Sequence, residues 1–218
     1  MTFESIKNNS DIQTYITKAD ESLMALGYTE HSFAHVGKVA ECAACILKTL
    51  GHSDKDIELA RIAGYLHDIG NLVNRVEHSQ SGALMAFRIL DNLGMPADEI
   101  ATVVTAIGNH DEGTGVPVNS VAAALIIADK CDVRRSRVRN TDISTFDIHD
   151  RVNYSVEKSE LNISEDKRSI VLNLTIDSSI SAVVDYFTIF LERMHMSRRA
   201  AEALGLTFGL VINGQKLM

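Results

Sequence analysis

The sequence predicts a mainly α-helical protein, with a helical bundle over residues 1–140 and a small α+β unit of β-β-α-β order over residues 141–218. The 218-residue chain has only two prolines, Pro96 and Pro117, which leaves room for long helices. Apolar residues recur about every 3.6 positions through most of the first 140 residues. Residues 167–177 instead alternate apolar and polar side chains, which is typical of a half-buried strand.

Six helices are predicted in the bundle, each bounded by residues that commonly start or stop helices. Ser53 is a good N-cap, and Pro96 suits a first helical turn. Glycine follows several of the apolar stripes, and it readily adopts the left-handed backbone conformation that ends a helix. The predicted helices span residues 10–26, 35–50, 54–70, 80–93, 96–110 and 120–133.

The α+β unit is predicted to pack on or beside the bundle, because the polar boundary near residues 140–150 is short. Its predicted elements are strands 154–163 and 167–177, helix 178–204 and strand 206–212, with a turn at Asn213-Gly214. Three strands are too few to close a barrel, so a free edge leaves open a homo-oligomer through this unit.

Composition excludes several classes of protein. The net charge of −8 provides no broad positive field, so nucleic acid is not expected as a partner. No apolar run is long enough to span a membrane, and the N-terminus has no signal-peptide pattern, so we expect a cytoplasmic protein with no membrane partner. The odd set Cys42, Cys45 and Cys131 is expected in the core rather than in disulfides.

Three polar residues interrupt otherwise apolar helices. His67 and Asp68 follow the stretch LARIAGYL, and Asp129 ends the stretch VAAALIIA. A buried carboxylate is costly unless it meets a cation. Imidazole and carboxylate together suit Fe, Mn, Zn or Ni better than Ca, so these residues indicate a transition-metal site.

The order of these residues resembles the HD-domain superfamily of metal-dependent phosphohydrolases, whose ligands follow the series His, His-Asp, His, His, Asp. The resemblance covers about residues 28–140. It is carried by the segments HVGKVA (35–40), LARIAGYLHDIGN (59–71), HSQSGALMAFRIL (78–90), AIGNHDE (106–112) and IIADKCDVRRSRV (126–138).

The resemblance implies six metal ligands and two divalent transition-metal ions. Fe or Mn is favoured, with Zn, Ni, Co and Mg also open. Asp68 would bridge the ions. His31, in EHSFAHV, is an alternative first ligand, but the family pattern H-x-x-[KR]-V-A favours His35. The implied ligands are His35, His67, Asp68, His78, His110 and Asp129.

Catalytic roles are expected for Asp68, His110 and Asp111. The basic residues that follow Asp129 suggest phosphate binding, with Lys130, Arg134 and Arg135 as candidates, because guanidinium groups pair well with phosphate oxygens. If the helix continues, Arg134 and Arg137 share a face. His149-Asp150 and His195 are expected at the surface.

Comparison within the superfamily narrows the expected substrate. The late histidine and the A-D-K/R-x-[ED] ending resemble the bacterial hydrolases of diadenosine tetraphosphate, although the arginine-rich tail departs from them. GVP stands where the cyclic-di-GMP phosphodiesterases have GYP, and Asn109-His110 stands where they have two histidines. These differences argue against cyclic-di-GMP as the substrate.

The expected function is hydrolysis of a phosphoester or phosphoanhydride bond in a small, nucleotide-like phosphorylated substrate by a metal-activated water. Two alternatives remain open from the sequence. One is an HD-type di-iron oxygenase, which uses the same ligand pattern. The other is a non-catalytic sensor that binds a metal or a nucleotide.

Overall fold

Seven helices form the body of the protein in the computed structural model, which describes residues 1–218. A 3-10 turn, Ile69–Leu72, lies between the fourth and fifth helices. The helices are α1 (Phe3–Lys7), α2 (Ser10–Ala25), α3 (Phe33–Leu50), α4 (Asp54–Leu66), α5 (His78–Asn92), α6 (Ala97–Gly108) and α7 (Ser120–Lys130).

The helix boundaries follow the capping chemistry of the sequence. The Ser53 side chain accepts the backbone N–H of Asp56, and Gly51 ends α3 in the left-handed conformation at φ 85°. The six predicted helices are all present. Helix α1, which is only five residues long, was not predicted. The helix predicted over residues 120–133 is shorter in the structure, where it ends at Lys130.

Helix α7 is the centre of the body. Every residue from Val121 to Ala128 is buried, because α3, α4, α6 and the long C-terminal helix (Val183–Ala203) surround it. This burial on all sides explains why the helix is apolar around its whole circumference rather than on one stripe. It brings Asp129, in the last helical turn, next to the ends of its neighbours.

Close approach of α3 and α4 depends on Gly64. A Cβ at this position would lie 2.7 Å from the Cα of Ala40 on α3, closer than side chains pack. The absent side chain lets the two helix backbones touch just before His67. The two helices therefore carry their histidines to within ligand distance of each other.

The C-terminal unit contains α8 (Ile148–Ser155), β1 (Val156–Ile163), β2 (Ser169–Ile176), α9 (Val183–Ala203), β3 (Thr207–Ile212) and β4 (Gln215–Lys216). The sheet order is β1-β2-β3-β4. Strand β2 pairs antiparallel with β1 and parallel with β3, so α9 is the crossover between β2 and β3. The β-β-α-β order is as predicted, and α8 and β4 are additional.

Helix α9 joins this unit to the body. It packs on α7 along one side and on β3 along the other. The alternating residues of β2 that were predicted to share a face are all buried: Ile170, Leu172, Leu174 and Ile176. They belong to the same continuous hydrophobic core as the helices of the body. None of the helices combines the length and the apolar composition needed to cross a lipid bilayer.

Candidate metal centre

The six predicted ligands come together at one place in the body. Each lies at or near the end of a helix: His35 near the start of α3, His67 and Asp68 after α4, His78 at the start of α5, His110 after α6 and Asp129 in the last turn of α7. The four histidines and Asp68 are buried, and the Asp129 side chain is only 13% exposed.

One half of the cluster surrounds Oδ2 of Asp68. His35 Nε2 lies 3.3 Å from Asp129 Oδ1 and 3.5 Å from Asp68 Oδ2. His67 Nε2 lies 3.2 Å from the same Asp68 oxygen and 3.7 Å from Asp129 Oδ1. Two imidazoles and two carboxylates therefore face one another.

The other half of the cluster surrounds Oδ1 of Asp68. His78 Nε2 lies 3.4 Å from this oxygen and 3.1 Å from His110 Nε2. The ligand atoms of His67, Asp68 and His110 lie within 4.8 Å of one another. Asp68 therefore stands between two groups of nitrogen donors and presents one oxygen to each.

The outer nitrogen of each histidine has a fixed acceptor. Nδ1 donates to a backbone carbonyl in three cases: Gly64 at 2.8 Å for His67, Ile107 at 2.6 Å for His110 and Arg75 at 3.1 Å for His78. Because a carbonyl only accepts, Nδ1 carries a hydrogen in each of these rings, and Nε2 is the nitrogen that faces inward. Such partners orient metal-ligating histidines.

The fourth histidine, His35, has a carboxylate as its outer partner. Its Nδ1 donates to Asp132 Oδ2 at 2.8 Å. Asp132 is itself buried and also pairs with Lys38 at 2.7 Å and with Arg134 at 3.1 Å. Asp132 was not among the predicted site residues. It is the acidic residue of the A-D-K/R-x-[ED] ending, and this position could have identified it as part of the centre.

A cation fits the cluster because two of its buried nitrogens have no other partner. Nε2 of His35 and Nε2 of His67 form no hydrogen bond. Buried polar atoms are rarely left unpaired, and here both face carboxylate oxygens. A mixed imidazole and carboxylate donor set is the one that transition-metal ions prefer.

The pKa values of Asp68 and His67 also indicate that the carboxylates of the cluster are stabilised by nearby positive charge. Burial would raise the pKa of Asp68, but the neighbouring imidazoles of His67 and His31 hold it well below its usual range. Burial lowers the pKa of His67, yet Asp68 and Asp129 more than reverse this and raise it to about 10. In the absence of a metal ion, a proton on His67 partly balances the carboxylates.

His31, the alternative first ligand, lies at the edge of the cluster. Its Nε2 is 4.0 Å from Asp68 Oδ2, against 3.5 Å for His35. Its Nδ1 donates to the Thr29 carbonyl at 2.6 Å. The structure thus places His35 inside the cluster and His31 between the cluster and an adjoining cleft.

The predicted phosphate-binding residues are engaged elsewhere. Lys130 is buried, with Nζ 2.9 Å from Asp129 Oδ2 and 3.3 Å from Glu112. Arg134 pairs with Glu30 at 3.0 Å and with Asp132.

Arg135 lies against α8, where Nε donates to the Tyr154 carbonyl at 2.6 Å and the guanidinium covers the Tyr154 ring. The expected shared helix face of Arg134 and Arg137 is wrong, because α7 has ended and Arg134 is extended.

No ion pair joins Asp111 to the cluster. Burial and a hydrogen bond with Glu112 raise the pKa of Asp111.

Two other arginines lie beside the cluster. Arg75 Nη1 is 3.9 Å from Asp68 Oδ1 and 3.4 Å from His78 Nε2. Arg137 is buried, and its Nε and Nη1 donate to the carbonyls of Glu30 and Asp132. Neither residue was assigned a role from the sequence. Arg75 lies in an irregular loop whose path only the fold reveals.

A cleft of about 260 Å³ opens next to the cluster and is lined by His31, Arg75, Arg137, Arg193 and residues of α8. His149 and Asp150, expected at the surface, line this cleft. His195, likewise expected at the surface, is exposed on α9. A wider groove of about 790 Å³ lies between α1, α2, α3 and α4, but none of the cluster residues lines it.

Comparison with known proteins agrees with this ligand order. The model of the HD domain family matches residues 32–134. A protein described as uncharacterised from Methanocaldococcus jannaschii is 27% identical over 191 residues, covering 77% of this chain and 73% of that protein. Ribonuclease Y of Aliarcobacter butzleri is 31% identical over 122 residues, covering 55% of this chain and 21% of that enzyme.

Solved structures are similar as well. The crystal structure of a predicted HD superfamily hydrolase from an uncultured Thermotogales bacterium aligns with 60% of this chain and 73% of its own, at 24% identity and a TM-score of 0.45. A TM-score this low adds no weight, and the family assignment rests on the matched residues 32–134, which include all six cluster residues. Residues 32–134 of the chain are therefore assigned to an HD domain.

Proposed function

We propose that the protein hydrolyses a phosphoester or phosphoanhydride bond of a small nucleotide-like substrate and uses two divalent transition-metal ions to do so. The observation that carries this proposal is the position of Asp68, whose two oxygens face two separate groups of inward-pointing imidazole nitrogens. A single carboxylate shared in this way is suited to holding two cations side by side.

We infer which ligands each ion would take. His35, His67 and Asp129 with Oδ2 of Asp68 would hold one, and His78 and His110 with Oδ1 of Asp68 would hold the other. The neutral nitrogen and carboxylate oxygen donors favour Fe or Mn. When bound, such ions lower the pKa of a coordinated water and neutralise charge on phosphate oxygens.

The arginines beside the cluster are placed to bind the phosphate group. Arg75 has its Nη1 near Asp68 and His78, at the mouth of the cluster. Arg137 is held rigidly by two backbone carbonyls, which leaves its Nη2 without a protein acceptor. Phosphoryl transfer depends mainly on positioning and charge neutralisation, which two fixed guanidinium groups supply.

His31 is suited to orient a water molecule beside the cluster. Burial and the neighbouring charge of Arg137 hold the pKa of His31 well below its usual value, which favours the neutral ring. Its Nδ1–H is committed to the Thr29 carbonyl, which leaves the Nε2 lone pair available near Asp68. We assign to Nε2 the role of accepting a hydrogen bond from the attacking water and so orienting it.

The similarity to Ribonuclease Y supports the type of bond cleaved. Its name describes an enzyme that cleaves RNA, and RNA is joined by phosphodiester bonds. Because this chain spans only 21% of that enzyme, the similarity supports phosphoester cleavage and leaves the substrate open.

The test is a metal-reconstituted activity screen. Metal-depleted protein is loaded with Mn²⁺, Fe²⁺ or Zn²⁺ and incubated with phosphomonoesters, cyclic nucleotides, nucleoside triphosphates and dinucleoside polyphosphates. We expect metal-dependent release of phosphate or nucleotide, and a loss of at least about a thousandfold in Asp68→Asn, since metal-ion stabilisation of the transition state is worth several kcal/mol. Asp91→Asn, an exposed carboxylate on α5, is the matched control.

The same screen separates the two alternative functions. Iron-dependent O₂ uptake without phosphate release would indicate an oxygenase. Tight nucleotide binding with no product in any metal form would indicate a sensor. Either result overturns the proposed hydrolysis, and the cationic cleft beside the cluster is the feature that favours a phosphorylated substrate.

A further inference from the structure

The outer wall of the cleft comes from the C-terminal α+β unit, which lies outside the matched HD domain at residues 32–134. Helix α8 contributes His149, Asp150 and Asn153, and α9 contributes Phe190 and Arg193. The cleft therefore has an inner side made by His31, Arg75 and Arg137, which lie next to the metal cluster, and an outer side made by this additional unit.

The two sides differ in their charged groups. Arg75 and Arg137 lie beside the cluster and direct their ion pairs toward Asp68 and Asp132. Asp147 and Asp150, on the outer side, form no ion pair, whereas Arg193 on the same side is paired with Glu112. The unpaired carboxylates of the cleft therefore lie on its outer side.

Three side chains of the outer side, those of Asp147, Asp150 and Asn153, each keep one oxygen free of protein partners. Oδ1 of Asp147 accepts the backbone N–H of Asp150 at 2.8 Å, and Oδ2 of Asp150 accepts from Asn140 at 3.3 Å. Asn153 is only 7% exposed, and its Nδ2 donates to the His149 carbonyl at 2.9 Å, while its Oδ1 has no donor. Asn153 Oδ1 is therefore an open hydrogen-bond acceptor at the wall of the cleft, suited to a ligand that carries a donor.

The size and the aromatic groups of the cleft limit what fits. Its volume of about 260 Å³ is just below the range of about 300 to 1,000 Å³ that pockets for drug-sized molecules span. Phe190 forms part of the floor under Arg193, and Tyr28 forms part of the rim under Arg75. One nucleoside or sugar unit fits such a space, and a chain of nucleotides does not.

Given the proposed hydrolysis, on which this inference rests, we propose that Asp150 and Asn153 form a specificity subsite for the end of the substrate that lacks the phosphate. The subsite takes a group rich in hydrogen-bond donors, either the amino and imino groups of a base or the hydroxyls of a sugar. The substrate class is therefore a single nucleoside monophosphate or sugar phosphate.

Calorimetric binding to the full-length, Mn²⁺-loaded protein tests the subsite independently of turnover. The probes are guanosine 5′-monophosphate, ribose 5-phosphate and inorganic phosphate, and the measure is how much more tightly each ester binds than phosphate alone. We expect Asp150→Asn and Asn153→Ala each to reduce this preference by roughly tenfold or more, the value of a hydrogen bond to a polar or charged group. Glu157→Gln, an exposed carboxylate on β1 of the same unit, should keep the wild-type preference.

The outcomes distinguish the subsite from the reaction. Loss of the preference for guanosine 5′-monophosphate alone identifies a base as the donor, and loss for both esters identifies the sugar. The subsite is overturned if the wild type binds both esters no better than phosphate, if both variants keep the full preference, or if a dinucleotide binds as tightly as the monophosphate. A preference that the variants lose, with no hydrolysis by the wild type, overturns the proposed reaction and keeps the subsite. Melting temperatures confirm that each variant is folded.

Discussion

Asp132 is a buried carboxylate that orients a predicted metal ligand, although it does not itself face the metal cluster. It accepts from His35 and balances three cationic side chains, Lys38, Arg134 and Arg137. Burial would raise its pKa, but His35 and these cations hold the pKa far below its usual range. The residue is therefore ionised whenever the protein is folded, and it fixes the orientation of His35.

We expect Asp132→Asn to weaken metal binding by roughly 10- to 100-fold, the usual effect of removing an outer partner of a ligating histidine. The amide can still accept a hydrogen bond but cannot supply the charge. Calorimetric titration of metal-depleted protein with Mn²⁺ measures the change, with Asp91→Asn as the control. An unchanged Kd would remove Asp132 from the centre.

The raised pKa of His67 predicts that metal uptake releases a proton. With a pKa of about 10 in the metal-free protein, His67 is protonated at neutral pH, and the proton must leave before Nε2 can bind a cation. Affinity should therefore rise with pH up to about pH 10. Calorimetry at pH 8 in buffers of different ionisation enthalpy should show roughly one proton released. Heats that do not depend on the buffer would contradict this.

Single site residues could be predicted from the sequence where a polar side chain stands in an otherwise apolar helix. His67, Asp68 and Asp129 are conspicuous because each interrupts an apolar helix, and the family pattern supplied the remaining cluster residues. Arg75 and Arg137 had no such signal. An arginine in a loop looks the same whether it faces solvent or a metal centre, so only the path of the chain reveals it.

Among the elements, the contact between α3 and α4 sets the geometry of the centre. Gly64 lies one turn before His67 and touches the backbone of Ala40. A side chain here must push the two helices apart, and the shift would separate His35 from His67.

We expect Gly64→Ala to lower stability by about 1–3 kcal/mol, the usual cost of overpacking, and to weaken Mn²⁺ binding as well. Gly37→Ala on α3 is the matched control, since its Cβ would meet nothing within 4 Å. That variant should be neutral or more stable by up to about 1 kcal/mol, because alanine favours helix. Thermal melts with and without Mn²⁺ measure both effects. Equal behaviour of the two variants would show that the close contact is not needed.

The predicted extension of α7 to residue 133 illustrates what sequence patterns miss at this scale. The extension covers Cys131, Asp132 and Val133, which are only weak helix formers, so local propensity does not oppose an earlier end. The chain leaves the helix where Asp132 engages His35, and the Arg137 carbonyl then accepts the backbone N–H of Glu30. Contacts far apart in sequence, which no local pattern contains, therefore fix the path after Lys130.

Across the whole molecule, Glu112 joins the body to the C-terminal unit. It lies in the loop between α6 and α7, 3.3 Å from Lys130 and 2.8 Å from Arg193 on α9. Burial would raise its pKa, but the charges of Lys130 and Arg193 lower it to about 2. Because the folded pKa lies below the unfolded value, this carboxylate stabilises the fold at pH values above about 4.5.

Glu112→Gln should therefore cost up to about 3 kcal/mol of unfolding free energy at pH 7, and the difference from wild type should shrink as the pH falls from about 4.5 toward 2. Urea unfolding at several pH values measures this difference. Glu192→Gln, exposed on α9, should show no such trend. A cost for Glu112→Gln that is the same at pH 3 and pH 7 would show that the ion pairs do not link the two parts.

The burial of α7 on all sides has a consequence for synthesis. Translation releases residues 120–130 well before residues 183–203, so the most apolar helix of the protein leaves the ribosome before the helix that covers one of its flanks. During that interval a strip of alanine, leucine and isoleucine faces water, and the nascent chain is a natural client for chaperones that hold apolar segments. Ribosome pauses or rare codons between the two helices would lengthen this exposure, and a gene moved to a foreign host would meet this difficulty there first.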